Sequence, residues 1–390
     1  MPKFLHTADW QIGRTFTTWE AEAAHHLTQA RFAAVRRIAQ LATQHAVDAV
    51  LVAGDVFDAQ TVSDKTIRRL FQELQGFGGP WILISGNHDA ALAQSVWTRA
   101  RNLDCVPPNV HLLLTPEVAS FDGFAVLPAP LTQRHCYDDV TAWMDNAVTA
   151  PGLLRIGLAH GSVQGLLHEG IDSPNPIHPQ RAALARLDWL ALGDWHGMQL
   201  LDAHTAYSGT PEADRLHGND PGHALLVEIA APGATPQVQV LDVGQYRWQR
   251  LQAHLQLPSD WDALLSRLAA LDANDVVQLR LQGAISWAQQ QQLQAALDQA
   301  EAKACALQVE RSGLRLLPTD EELAALRADG YVGEVLNQLR QESAAQPEAG
   351  VVQDALELLT QALWQQQAAS SASTASAAAT ASTASTASTS

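Results

Sequence analysis

An α/β fold is what the order of apolar segments predicts for residues 1–245 of this 390-residue chain. Three observations carry that expectation. Short β-rich apolar runs recur, many bounded by Gly, which marks them as buried strands. Segments with helical spacing separate several of them. Five of the runs also end in polar groups: Phe4-Leu5-His6-Thr7-Ala8-Asp9-Trp10-Gln11, Ala49-Val50-Leu51-Val52-Ala53-Gly54-Asp55, Trp81-Ile82-Leu83-Ile84-Ser85-Gly86-Asn87-His88-Asp89, Arg155-Ile156-Gly157-Leu158-Ala159-His160 and Trp189-Leu190-Ala191-Leu192-Gly193-Asp194-Trp195-His196. Tips of buried strands can converge from distant parts of a sequence. Asp, Asn, His and Gln are the side chains that hold hard or borderline divalent cations.

The elements follow in order. Ala21 to His45 carries Phe32, Val35, Ile38 and Leu41 on one helical stripe, and the strand Val47 to Ala53 comes next. Ser63 can cap a helix running to about Gln75, with Ile67, Leu70, Phe71 and Leu74 inward; Gly76-Phe77-Gly78-Gly79-Pro80 stops it. Strands are expected at Val110 to Leu114 and Phe124 to Leu127, then a helix near Asp139 to Ala147. Ala206 to Glu212, His223 to Ile229 and Val238 to Val243 read as an antiparallel β end. Residues 246–318 form a small α+β unit, with strands Val276 to Leu281 and Ala306 to Arg311 around a helix Trp287 to Ala304. Residues 319–367 hold helices at Glu321 to Arg327, Val332 to Glu342 and Val351 to Gln366. Residues 368–390 contain only Ala, Ser and Thr, which offer no large side chain to bury and predict a disordered tail.

Composition narrows the function classes. The chain is 47% hydrophobic and 17% charged, as soluble globular proteins are. It has no apolar stretch of membrane-spanning length and no secretory leader at its start, so no membrane role is expected. Cys105, Cys136 and Cys305 have no metal-type spacing and read as reduced thiols of a cytoplasmic protein. The net charge of −17 argues against nonspecific coating of DNA, though not against an active-site groove. All 24 basic residues except Lys3, Lys65 and Lys303 are Arg, whose planar fork suits phosphate. The sequence contains no phosphate-binding Gly-Lys loop, no Cys-x-x-Cys pair and no nucleophile elbow, so any use of ATP falls to a partner.

Hydrolysis of a phosphoester by two metals needs cations about 3.5–4 Å apart that activate water and clamp the phosphoryl oxygens. Asp55 is the natural bridge, because it follows a buried strand and a Gly that permits a close turn. Asp9, Gln11 and His196 can complete one metal shell, and Asn87, His160 and Asp194 the other. His88 lies beside a ligand and can face substrate, as general acid or as a stabiliser of developing charge. His6 lies inside a strand and reads as a buried, hydrogen-bonded residue. Asp58 reads as a loop-orienting group. Trp10 and Trp195 read as packing or pocket-lining residues, with stacking on a base as the alternative.

The segments D-W-Q, G-D-V-F-D, G-N-H-D, A-H-G and G-D-W-H-G resemble the five motifs of the calcineurin-like metallophosphoesterases. Within that superfamily, His6 to Trp10, Gly54 to Asp58 and Ser208 to Glu212 are similar to the nuclease subunit of the SbcCD complex and its counterparts. The resemblance covers residues 2–245. It implies a four-layer α-β-β-α sandwich with a capping domain and C-terminal helices, usually with two Mn²⁺ ions, Mg²⁺ being compatible. It also implies cleavage of DNA phosphodiesters by a metal-activated water, with His88 as the catalytic residue. An SMC-like, SbcC-type ATPase partner is implied too, and a homodimer is compatible with it. Val332 to Glu342 and Val351 to Gln366 are candidates for the ATPase contact, beside the plainer reading that they pack on their own domain.

Two positions depart from the family pattern. Gln11 stands where a His is usual in the first motif, and Asp194 where the last motif begins with His. Together they favour Mn²⁺ or Mg²⁺ over softer Zn²⁺, or else they leave the Gln11 site weak or empty. A DNA repair exonuclease is the leading expectation. A phosphoesterase for cyclic nucleotides or phosphomonoesters is the second, and a scaffold without turnover is the third.

Overall fold

The computed structural model describes residues 1–165, 174–216, 218–317, 319, 321–322, 331–345, 351–352, 354–355, 358–359 and 362–363. The chain divides into two compact units, Met1–Gln249 with Ala273–Val277, and Arg250–Asp272 with Gln278 onward.

Two six-stranded sheets build the first unit. In one lie β1 (Lys3–Thr7), β2 (Ala49–Val52), β3 (Trp81–Leu83) and β4 (Val110–Leu112). The other holds β5 (Ala119–Ser120), β6 (Phe124–Ala129), β7 (Leu154–His160), β10 (Trp189–Gly193), β11 (Gln199–Leu200) and β12 (Thr205–Tyr207), and a separate pair joins β8 (Ser162–Val163) to β9 (Pro176–Ile177). The chain then returns to the first sheet with β13 (His223–Glu228) and β14 (Gln237–Asp242), giving the order β14-β13-β1-β2-β3-β4. β1 to β4 run parallel, as do β6, β7, β10 and β12.

Alternation of side chains along the strands sorts the core into layers. Leu5, Val50, Val52 and Leu83 face helices α1 (Ala21–Gln44) and α2 (Asp64–Glu73), meeting Phe32, Val35, Ile38, Ile67, Leu70 and Phe71. Phe4, Leu51, Ile82 and Ile84 face the second sheet, meeting Val126, Ile156, Leu158 and Trp189. Leu127, Leu190 and Leu192 point outward from the second sheet onto Met144, Ala182 and Leu187. The result is the α-β-β-α sandwich that the sequence predicts. Ser63 caps α2 as expected, accepting from Thr66 N at 3.1 Å.

Two local expectations change, and two short helices are additional. The helix expected near Asp139 to Ala147 is only a short 3-10 helix, Ala142–Asn146; Asp139 Oδ1 accepts the Thr141 N–H in a local turn just before it, and Arg155 covers the carbonyls of Met144 and Ala147 at its end. The Ala206 strand joins the second sheet beside β10 rather than pairing with β13, and Gly209 at φ 72° turns the chain away. Helix α3 (Val96–Asn102), capped by Ser95, is additional to the elements the sequence suggested. A four-residue helix, α4 (Arg181–Leu184), is also present.

In the second unit a three-stranded sheet runs in the order β15 (Arg247–Leu255), β16 (Asp275–Ile285), β17 (Ala306–Leu316), with α5 (Pro258–Ala269) and α6 (Trp287–Glu301) packed together. The first residues of β15 and β16 belong to the first unit. Trp287 and Leu336 form a small buried cluster, Leu336 lying on the helix Tyr331–Ala345. Most of the helices expected at Glu321 to Arg327 and Val351 to Gln366, and the tail 368–390, lie outside the described residues. Among the described residues, no helix is long and apolar enough to cross a membrane.

Leu51 is fully buried between the two sheets, four residues before Asp55 in sequence. Leu51→Ala is expected to lower unfolding stability by about 2–5 kcal/mol, as cavity-forming core truncations do. Urea denaturation of the full chain measures it, and a loss under about 1 kcal/mol would contradict the inter-sheet packing.

Candidate metal centre

β1, β2 and β3 are parallel in one sheet and β7 and β10 in the other, so their C-terminal ends line one edge of each sheet, where open α/β folds bind ligands. Contacts between His160 and Ala53 and between Asp194 and Asp9 bring the two edges together. Asp9 follows β1, Asp55 follows β2, and Asn87 with His88 follows β3. His160 ends β7, while Asp194 and His196 follow β10. The loops after β1 and β2 run side by side: Asp9 N donates to Gly54 O (3.1 Å), Gln11 N to Asp55 O (3.0 Å) and Ile12 N to Val56 O (2.9 Å). Asp9, Gln11, Asp55 and Asp194 all adopt positive φ, at 54°, 49°, 51° and 107°. Side chains rarely accept that conformation, and it collects at functional turns.

Ligand-capable atoms of Asp9, Asp55 and His160 lie within 4.8 Å of one another, and all three residues are buried. His160 Nε2 is 3.6 Å from Asp55 Oδ1 and 3.7 Å from Asp194 Oδ1. The main-chain N–H of Asp194 donates to both carboxylate oxygens of Asp9, at 3.2 and 3.1 Å. Asp55 accepts from Gln11 Nε2 (2.7 Å) and from the His88 main-chain N–H (2.9 Å). His88 Nδ1 lies 2.7 Å from Asp58 O, which leaves Nε2, 4.0 Å from Asp55 Oδ2, on a ring about one-third exposed. His196 Nδ1 is 3.1 Å from Asp214 Oδ2. Two glycines make this approach possible. A Cβ on Gly86 would meet Asp55 Oδ1 at 2.2 Å, and one on Gly54 would meet His160 Nδ1 at 2.5 Å.

The donor set fits a divalent cation. His160 Nδ1 is engaged with Ala53 O (2.8 Å), which directs Nε2 at the carboxylates. His160 Nε2, Gln11 Oε1 and Asn87 Oδ1 are buried with no hydrogen-bond partner among the described residues. Buried polar atoms are normally paired, so three together call for a ligand.

The sequence profile of the calcineurin-like phosphoesterases matches residues 2–228, more than half of the chain. The chain belongs to that family. Relatives sharpen the comparison only in part. A 94-residue stretch is 40% identical to the SbcD nuclease component of the SbcCD complex of Rhodobacter capsulatus, covering 23% of this chain and 22% of that one. The metallophosphoesterase YhaO of Bacillus subtilis is 28% identical over 245 residues, 57% of this chain and 56% of YhaO. The SbcD nuclease component of Escherichia coli K12 is 34% identical over 91 residues, 23% of this chain and 21% of its own length. The matched segments therefore span only part of each relative.

Phosphoesterases of this family use divalent metals, and electrostatics here suit one. Burial, then the neighbouring Asp55 and Asp194 carboxylates, push Asp9 up to about 7, against the pull of His196 and His160. Burial also raises Asp194. Burial alone would lower His160, but Asp55, Asp9 and Asp194 outweigh it and raise the ring to about 9. Buried carboxylates crowded together in this way form a site that a cation can stabilise by supplying the missing positive charge.

Four further residues support the cluster, and sequence reasoning assigned none of them. Asp89, raised to about 8 by burial and by Asp55, accepts from Gly86 N (2.7 Å) and Phe57 N (3.1 Å), tying the loops after β2 and β3 together. Its place in G-N-H-D was a visible signal. Arg31 reaches from α1 to Trp10 O (2.8 Å), Thr210 Oγ1 (3.2 Å) and Glu212 O (3.1 Å). An arginine on the apolar stripe between Leu27 and Val35 could have flagged it. Arg14 lies 3.3 Å from Asp214 Oδ2, and neither has a local sequence signature. His6 is as expected, with Nε2 3.1 Å from Leu192 O. Trp10 is buried edge-on to Trp81, whereas Trp195 is 41% exposed.

Divalent binding must displace the protons on Asp9 and His160. Below about pH 7 both are protonated, and between about 7 and 9 only His160 is. Mn²⁺ affinity is therefore expected to rise with pH to about 9, by roughly tenfold per unit for each proton displaced. Calorimetric titrations at pH 6, 7 and 8 measure it, and a flat affinity would contradict this account of the site.

Proposed function

We propose that the protein is a metal-dependent phosphodiesterase acting on DNA, an exonuclease in DNA repair. Family membership supplies phosphoester hydrolysis. The observation that carries the nucleic-acid substrate is the 40% identity to an SbcCD nuclease subunit. On this reading Asp9, Gln11, Asp55 and His196 hold one ion and Asp55, Asn87, His160 and Asp194 the other, Mn²⁺ being preferred by the oxygen-rich set. When bound, such a pair supplies Lewis-acid chemistry, neutralising phosphoryl charge and making water nucleophilic near neutral pH. The chain's own contribution is positional and protonic. The His88 N–H orients the Asp55 carboxylate, and Gln11 Nε2 does so as long as its oxygen is not turned to an ion. With Nδ1 given to Asp58 O, His88 presents Nε2 to an incoming leaving oxygen, where an imidazolium can donate a proton.

The same reading carries a partner. An SMC-like ATPase would engage the C-terminal helices, and the complex would work in the cytoplasm. The net charge of −17 favours a second reading, a phosphoesterase for small substrates.

Linear duplex DNA and bis(p-nitrophenyl) phosphate, each with Mn²⁺, separate the two. Nucleotide release from DNA is expected, with Asp55→Ala abolishing it. His88→Ala should slow it by roughly 10²–10⁴-fold, the usual worth of a positioned acid–base group. Turnover of the small diester with none on DNA would favour the second reading. Full DNA cleavage by His88→Ala would remove that residue from catalysis.

A further inference from the structure

Asp214 lies beyond the last motif, and its carboxylate is almost fully buried. Three side chains converge on it. His196 Nδ1 is 3.1 Å from Oδ2, Arg14 Nη1 is 3.3 Å from the same oxygen, and Arg215 Nε is 3.5 Å from Oδ1. The same Arg14 Nη1 lies 3.4 Å from Asp58 Oδ1, and the main-chain oxygen of Asp58 holds His88 Nδ1. One guanidinium thus joins the support of His88 to the support of His196.

We propose that Asp214 is a positioning residue that fixes the tautomer and orientation of His196, directing Nε2 at the Asp9 carboxylate. A carboxylate on the outer nitrogen of a ligating histidine sets which nitrogen stays free and raises its basicity. Folding alone does not account for the contact. The two segments are already joined through main chain, Thr210 N donating to His196 O at 3.1 Å and Met198 N to Asp220 O at 3.0 Å. Burying an ion pair is also a poor source of stability, because desolvation cancels most of the attraction. Arg14 shares Oδ2 with the imidazole and Arg215 flanks Oδ1, so cationic groups stand at both oxygens of the carboxylate. The inference rests on reading His196 as a metal ligand.

The test uses the full chain, in two measurements. Long-range ¹H–¹⁵N spectra of the metal-free, ¹⁵N-histidine-labelled protein report the His196 tautomer. Mn²⁺ titrations report site affinities. Wild type should carry the His196 proton on Nδ1 and bind two ions. Asp214→Asn should lose that tautomer preference and weaken one ion by roughly 10–100-fold, the usual worth of such outer partners, leaving the other within about twofold. Asp214→Glu keeps the charge and displaces the oxygens, so its loss should be intermediate; it decides the matter if Asp214→Asn does not fold. Isotherms and tautomer unchanged from wild type in either folded variant would overturn the proposal. A wild type that takes up no ion overturns the ligand reading instead, and the spectra then decide alone whether Asp214 sets the ring.

Discussion

The buried carboxylate of Asp55 is the constraint around which the first unit is arranged. A carboxylate removed from water costs several kcal/mol unless charge and hydrogen bonds are returned to it. Here Gln11 Nε2 and the His88 N–H return two bonds, and His160 Nε2 stands 3.6 Å away. Each donor comes from a different strand end, so the three loops must meet at one point. Gly54 and Gly86 are the space for that meeting, since a methyl group at either would overlap His160 or Asp55. The positive φ angles of Asp9, Gln11, Asp55 and Asp194 are local costs of about 1 kcal/mol or more each that the surrounding packing sustains.

The two departures from the family pattern act on this carboxylate in opposite ways. Gln11 is neutral and turns its amide nitrogen to Asp55, so in this structure it braces the carboxylate with its oxygen left unpaired. Presenting that oxygen in place of the nitrogen requires a half-turn of the amide and loss of the 2.7 Å bond. Asp194 adds negative charge beside His160, which is part of why that ring is raised to about 9. The two replacements together add one negative charge, on the His160 side of the cluster. They leave a set richer in oxygen than an all-imidazole one, and so suited to harder cations.

Much of this was legible before any coordinates. Buried parallel strands announce themselves as unbroken apolar runs, and polar residues just beyond them can only gather at one edge. That logic singled out Asp9, Asp55, His160 and Asp194, whose side chains the structure brings close to one another. It failed for residues whose signal is purely tertiary. Asp214 meets His196 across a turn, and Arg14 reaches Asp214 from 200 residues away. Nothing in either local sequence marks those pairings. The expected helix at Asp139 to Ala147 is shortened to a 3-10 helix, where the Asp139 carboxylate takes the Thr141 N–H and Arg155, on a different element, covers the last carbonyls.

The site also ties its own geometry to the closure of the two sheets. Asp9, Gln11, Asp55 and Asn87 hang from one sheet; His160, Asp194 and His196 hang from the other. Three contacts cross the seam beside them: His160 Nδ1 with Ala53 O, Asp194 N with Asp9, and His6 Nε2 with Leu192 O. Burial lowers His6 to about 3, so it remains neutral in the folded chain while the unfolded chain takes up a proton below about pH 6.5. Its contribution is complete above pH 6.5 and drains away as pH falls towards 3, the opposite sense to His160, whose raised pKa stabilises the fold below pH 6.5 and is lost as pH rises through about 9. The two histidines therefore hold the seam from opposite sides of neutrality.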